Sequence, residues 1–259
     1  MEDIDVDWAD GWPDAAADLR DPVLVEGLPG VGNVGKLAVE QLIEERDDEV
    51  ACRIYAPQFP PQVSVGDDGE TELAHAAVHA VDAGDRDLLV LTGEHQPGDP
   101  PGQYRVTDAI LDVVETCEAA PVFALGGVPT GELVEEYDVL GAVTDADGPL
   151  AADLDEAGVA LAADQPEGGI VGVSGLLMGL GERRGLPAAC LMGETSGYLV
   201  DPKSAQAVLV VLEDVLGVTV DFESLEDRAE EVEEVMSKIQ EMEDSAGGVP
   251  ADDDLRYIG

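Results

Sequence analysis

The sequence predicts an α/β domain with a mainly parallel central sheet flanked by helices. Three observations carry that expectation. Short apolar runs alternate with helix-period segments from residue 22 to residue 216. A glycine-rich loop joins the first apolar run to the first helical pattern. The chain has 259 residues, 45% of them hydrophobic, enough to bury a sizeable core without disulfides.

The elements follow in order. Residues 1–19 are acidic and carry Trp8 and Trp12, so they read as an arm that packs its tryptophans on the domain. Pro22 to Glu26 reads as a buried strand, and the loop from Gly27 turns it into a helix over 35–46. Further strands are expected at 50–55, 72–80, 87–92, 121–125, 170–173 and 187–192. Further helices are expected at 104–118, 131–136, 148–156, 174–185 and 203–216. The last has the clearest signals: Asp201 caps it, Pro202 opens its first turn, and Ala205, Val208, Leu209, Leu212, Val215 and Leu216 form one apolar face. This completes a core domain over residues 20–221.

The segment 222–243 reads as a C-terminal amphipathic helix. Phe222, Leu225, Ala229, Val232, Met236 and Ile239 recur at spacings of three and four among acids, a heptad seam suited to the chain's own domain or to sister subunits. Residues 244–259 lose periodicity and read as a flexible acidic tail. It ends Leu255-Arg256-Tyr257-Ile258-Gly259, an apolar aromatic end with no folding role, so Leu255, Tyr257 and Ile258 are candidate partner-binding residues.

Charge narrows the function classes. There are 58 acidic and 12 basic residues, a net charge of −46, spread along the whole chain. An even spread suggests a general surface adaptation like that of proteins from salt-accumulating halophiles, where salt shortens the Debye length to about 3 Å and mutes self-repulsion. Such a surface argues against nucleic acid and anionic membranes as partners. No apolar run reaches the ~18 residues of a membrane span, and no signal-peptide pattern opens the chain, so a cytoplasmic location is expected. Cys52, Cys117 and Cys190 are far apart and form no C-x-x-C pair, which suits buried, reduced thiols and no metal.

The glycine loop approaches two nucleotide motifs and completes neither. Gly30, Gly32 and Gly35 satisfy G-x-G-x-x-G, and Gly30 to Lys36 satisfies G-x-x-x-x-G-K. Leu37 stands where a P-loop needs Ser or Thr for Mg²⁺, and Tyr55 to Pro61 supplies no acid for a ribose. The loop reads as a tight strand-to-helix turn, with Gly30, Gly32, Gly35 and Lys36 as the residues that would hold an anion. Ser174 and Ser196 both miss the G-x-S-x-G elbow, and His75, His79 and His95 precede both, so the order Ser, acid, His is impossible. His75 and His79 lack further ligands for a metal site. Glu94 and Gln96 follow a strand, as do Glu194, Thr195 and Ser196. The three loops near 27–35, 92–97 and 193–198 are expected to converge on one sheet edge, in a pocket with no complete catalytic set and no cofactor.

Four segments together carry a resemblance. They are Gly27-Leu-Pro-Gly-Val-Gly-Asn-Val-Gly35, Thr92-Gly-Glu-His-Gln-Pro97, Gly168-Gly-Ile-Val-Gly-Val-Ser-Gly-Leu-Leu-Met-Gly179, and Gly193-Glu-Thr-Ser-Gly-Tyr198 followed by Asp201-Pro202-Lys203. In this order they resemble the archaeal proteasome assembly chaperone family, over about residues 20–220 and the terminal helix. The resemblance implies a fold similar to purine nucleoside phosphorylases and related hydrolases, without enzyme activity. It implies homo-oligomers that bind proteasome α subunits and assist core-particle assembly. Some members end in a hydrophobic-Tyr-any motif that docks between α subunits. Here Tyr257 is third from the end, one position early. The alternative is a small-molecule enzyme or ligand-binding protein that uses the glycine loop for phosphate or a nucleotide, with Glu94, Glu194 and Thr195 as polar groups.

Overall fold

The structure is a computed structural model that describes residues 3–46, 48–66, 69–162 and 169–246. In chain order its strands and α-helices are β1 (Asp5–Trp8), β2 (Val23–Glu26), α1 (Val34–Glu44), β3 (Asp48–Tyr55), β4 (Val63–Val65), β5 (Thr71–Leu73), β6 (Ala76–Asp82), β7 (Asp87–Gly93), α2 (Pro100–Thr116), β8 (Val122–Pro129), β9 (Val139–Val143), α3 (Pro149–Glu156), β10 (Ala160–Leu161), α4 (Gly172–Arg184), β11 (Ala188–Thr195), α5 (Pro202–Leu216) and α6 (Glu223–Ala246).

Among the described residues, one nine-stranded sheet runs in the order β1-β3-β6-β7-β2-β8-β11-β9-β10, and β4-β5 is a separate hairpin. The centre β7-β2-β8-β11 is parallel. The flank β1-β3-β6-β7 is antiparallel, and β9 runs against β11. The expected mainly parallel sheet is thus corrected to a mixed one. The cause is local: only Ala83–Arg86 separates β6 from β7, with Gly84 at φ 94°, and a link that short makes a hairpin, not a crossover.

The parallel centre is buried on both faces. Val23 and Val25 of β2, with Phe123 and Leu125 of β8, pack beneath α1 and α5. Leu24 of β2 and Leu89 and Leu91 of β7 pack beneath α2 and α4. Each such fully buried aliphatic side chain contributes about 1.5–3 kcal/mol. The predicted face of α5 does bury Ala205, Val208, Leu209, Leu212 and Leu216. Its cap forms too: Asp201 Oδ1 accepts from Ser204 N at 3.1 Å, and Pro202 begins the helix. Leu225 and Ala229 of α6 are buried against the body.

Two expected elements are absent and four unexpected strands appear, β1, β4, β9 and β10. Residues 170–173 are not a strand: Gly169 (φ 80°) and Gly172 (φ 75°) are left-handed, and the chain turns there into α4. Residues 131–136 form bends instead of a helix, with the Thr130 hydroxyl donating to Glu132 O at 2.8 Å in a local turn. Residues 5–8 pair as β1 with β3, and Trp8 stacks on Trp12 with centroids 6.5 Å apart. β9 inserts between β11 and β10.

The scarce bases pin separate elements together. Arg184 of α4 reaches Asp108, Asp112 (2.7 Å) and Glu115 (3.2 Å) along α2. Arg228 of α6 reaches Glu44 (2.7 Å) and Glu40 (3.7 Å) on α1. Arg20 reaches Asp82 (2.7 Å) and Asp87 at the β6–β7 turn.

Candidate functional site

The glycines of the first loop serve close packing. A methyl group at Gly27 would overlap the Gly35 carbonyl oxygen, and one at Gly35 would overlap the Leu125 carbonyl oxygen of β8. Gly32 is left-handed at φ 62° and lies against the Thr195 side chain. Of the groups that would hold an anion, Lys36 is committed to carboxylates. Lys36 Nζ lies 2.7 Å from Glu94 and 3.5 Å from Glu40. Leu28 N donates to Glu26 Oε1 at 2.9 Å. This geometry counts against a phosphate, which needs free N–H groups and an unspent base.

The three loops do meet. Gln96 is the stitch: its Nε2 donates to Pro29 O at 2.8 Å, and its Oε1 accepts from Val173 N at 3.2 Å. It therefore ties the loop after β7 to the loop after β2 and to the start of α4. Asp201 N donates to Gly32 O at 2.9 Å, closing the third side. Between the first two of these loops and the start of α4, beside the carboxyl ends of β2, β8 and β11, is a cavity of about 640 Å³, and the 193–198 loop does not line it.

The predicted polar residues divide around it. Gly30 and Gln96 line the cavity. Thr195 and Ser196 are buried in turn contacts, their hydroxyls accepting from Gly197 N and Tyr198 N at 3.4 Å each. Glu194 N donates to Asp138 O at 2.9 Å. Gly35 lies under β8, and Lys36 and Glu94 pair with each other. Glu94 lines a different depression, shared with His75, His79 and His95. His79 Nδ1 lies 2.7 Å from Asp48 Oδ2, and His75 Nδ1 lies 2.8 Å from Leu73 O. No cluster of three metal-ligating side chains occurs among the described residues. Leu255, Tyr257 and Ile258 lie outside the described residues.

Sequence reasoning missed Glu26. It is the last residue of β2, fully buried, and its Oε2 has no hydrogen-bond partner at bonding geometry among the described residues. Burial pushes its carboxyl up from 4.5 to about 7, opposed by the Leu28 N–H and the nearby Ser174 hydroxyl. The only signal in the sequence is an acid ending a strand that is otherwise wholly apolar. Burial also pushes the thiols up, Cys190 and Cys52 to about 12 and Cys117 to about 11, which keeps them protonated and unreactive.

A pH dependence follows. The unfolded Glu26 ionises near 4.5 while the folded one holds its proton to about 7. The folded state therefore binds more protons across that window, and stability falls as pH rises from 4.5 to about 7, with nothing further lost above it. The loss amounts to roughly 3 kcal/mol. Glu26→Gln removes this term. Denaturant melts at pH 5 and pH 8 in the same molar KCl should show a shallower pH slope for the variant. Identical slopes would refute the assignment.

Comparison with known proteins places the chain among relatives. The family model described as PAC2 family matches residues 24–240, from β2 into α6. An uncharacterized protein of Methanocaldococcus jannaschii is 38% identical over 246 residues, covering 93% of each chain. The crystal structure of Pyrococcus furiosus PbaB, an archaeal proteasome activator, matches with a TM-score of 0.83 at 35% identity, covering 93% of this chain and 100% of that one. Pyrococcus furiosus PbaA, an archaeal homolog of proteasome-assembly chaperone, matches with a TM-score of 0.76 at 24% identity, covering 95% and 94%, a likeness of fold.

Proposed function

The chain belongs to the PAC2 family, and from that premise we propose that it is a non-enzymatic factor acting on the proteasome, in assembly of the core particle or in its activation. The observation that carries the reading is the 35% identity with Pyrococcus furiosus PbaB, a proteasome activator, over that protein's whole length. The proposal places the protein in the cytoplasm, as a homo-oligomer that engages proteasome α subunits. Among the described residues no helix is long and apolar enough to cross a membrane.

Two features support a docking role. Leu133, Tyr198, Leu199 and Val200 are exposed, with Tyr198 79% accessible, and Leu133, Leu199 and Val200 border a depression that reaches Ala229 and Val232 of α6. Exposed apolar side chains grouped on an acid-rich surface mark a contact site. The second feature is the sequence of the C-terminus, where Leu255, Tyr257 and Ile258 form an apolar anchor on a tether. Such an anchor adds affinity through effective concentration once the body is bound. No catalytic step is assigned: His75, His79 and His95 are bonded to Leu73, Asp48 and Gln62, not to Ser174 or Ser196.

Affinity capture with the full chain from extract in molar KCl tests the reading, with α subunits as the expected catch. Removing residues 255–259 should weaken that capture by roughly tenfold or more while the melting curve stays unchanged. Equal capture by the truncated chain would remove the tail from the mechanism. Failure of the full chain to capture any proteasome subunit would defeat the reading itself.

A further inference from the structure

We propose that the cavity beside the carboxyl ends of β2, β8 and β11 is a binding site for a small uncharged molecule with an apolar body and a single polar group such as a hydroxyl. The cavity shares no lining residue with the depression bordered by Leu133, Leu199 and Val200, so it stands apart from the proposed proteasome contact.

The wall selects against ions of either sign. Charged residues make up 27% of the chain, yet none of the fifteen residues that line the cavity among those described is Asp, Glu, Lys, Arg or His. Cys190 in the wall stays a neutral thiol, its ionisation pushed up to about 12 by burial. Glu26 stands behind the wall, held by Leu28 N at 2.9 Å and with the Ser174 hydroxyl beside it, and offers no charge to a guest. An ion entering here would leave water without meeting a counter-charge, a loss that a neutral molecule does not suffer.

Shape and size suit such a guest. Ala124, Val128, Cys190 and Met192 form an apolar cluster of their own on this face of the sheet, joined by Ile170 just before α4. By strand alternation Gly126 belongs to the same face, between Ala124 and Val128, and it pairs across the ladder with Met192. Its backbone is not left-handed, so no turn requires glycine there, and a side-chain carbon would meet nothing within 4 Å. A glycine inside a strand weakens it, and one that faces open space marks room for another molecule. The volume of about 640 Å³ lies within the ~300–1,000 Å³ of small-molecule sites and is about four times the ~150 Å³ void that takes up benzene, which suits two fused rings. Gln96 supplies the polar point. Its carboxamide carries two N–H groups, one donated to Pro29 O at 2.8 Å, and the second is the donor assigned to the guest's oxygen.

The test is a thermal-shift and calorimetric titration of the full chain in molar KCl at neutral pH with naphthylmethanol. Naphthylmethylamine and naphthoate, substituted at the same ring position, serve as its cationic and anionic counterparts. The proposal expects the alcohol to raise the melting midpoint and to bind at least about tenfold more tightly than either ion. The Met192 methyl resonance, identified by its loss in Met192→Leu, should shift as the alcohol binds. Gly126→Leu fills the space and should abolish binding. No binding of the alcohol, equal binding of either ion, an unmoved Met192 methyl, or unchanged affinity in a folded Gly126→Leu variant would each overturn the proposal. Where Gly126→Leu fails to fold, the Met192 methyl of the native chain decides. Capture of proteasome subunits is read separately, so failure of one reading leaves the other standing.

Discussion

Replacing Gly35 by alanine is expected to destabilise the protein by roughly 3 kcal/mol and to lower its melting midpoint by about 10 °C. The added methyl group would overlap the carbonyl oxygen of Leu125, and that oxygen belongs to the backbone of β8. β8 lies inside the sheet between β2 and β11, so it cannot give way without breaking two ladders. Gly27→Ala should behave alike, since its methyl would overlap the Gly35 carbonyl oxygen and the Val39 side chain. Gly179→Ala is the contrast. That glycine is exposed inside α4 with open space around it, and alanine there should add roughly 0.5–1 kcal/mol through helix propensity. Melts of the variants against the parent measure all three. A Gly35→Ala midpoint within a degree or so of the parent would show that α1 does not need its close approach to β8.

The second large effect is ionic. In dilute buffer the chain should lose its cooperative melt, and it should regain one in molar KCl. The net charge of −46 is opposed by few bases, and the ion pairs those bases make are largely on the surface. Exposed pairs of this kind contribute about 0–1 kcal/mol each, too little to offset repulsion summed over the surface. Raising salt from about 0.1 M to 1 M shortens the Debye length from about 10 Å to 3 Å and mutes that repulsion. Circular dichroism melts across a KCl series would decide the matter. A midpoint independent of salt would contradict the charge argument.

The elements with local signals were legible in the sequence. β2, α1 and α5 carry an apolar run, a glycine turn, and a cap with a proline and a clear apolar face, and each forms where expected. Elements specified by distant partners were not legible. β9 is held by β11, more than forty residues later, and although Asp145-Ala-Asp-Gly-Pro149 marks its end, Gly141 breaks its short apolar run Val-Leu-Gly-Ala-Val. The run Ile170 to Val173 shows the opposite error. A short apolar run fits a strand or the start of a buried helix equally well, and backbone handedness at Gly169 and Gly172 decided between them. In the site, the meeting of three loops could be read from their places after strands. The pocket was expected there too, but its lining was not legible, because it depends on how Gln96 bridges to Pro29 and to the start of α4. Glu26 was hidden for a simpler reason. An acid at the end of a strand ordinarily marks the exit to solvent, and here the chain stays inside for two residues more.

Arg184 has a consequence for how the chain finds its fold. Asp108, Asp112 and Glu115 form a ladder of acids along α2, and Arg184 is the base that α4 sets against it. Sliding α4 along α2 by a helical turn would part Arg184 from at least one of these partners. The pairs are largely exposed and individually weak, so they bias the register of the two helices without locking it. Concentrated salt screens that bias while it mutes the repulsion of the whole surface, so the medium that steadies the protein also weakens the ionic cue that aligns these two helices.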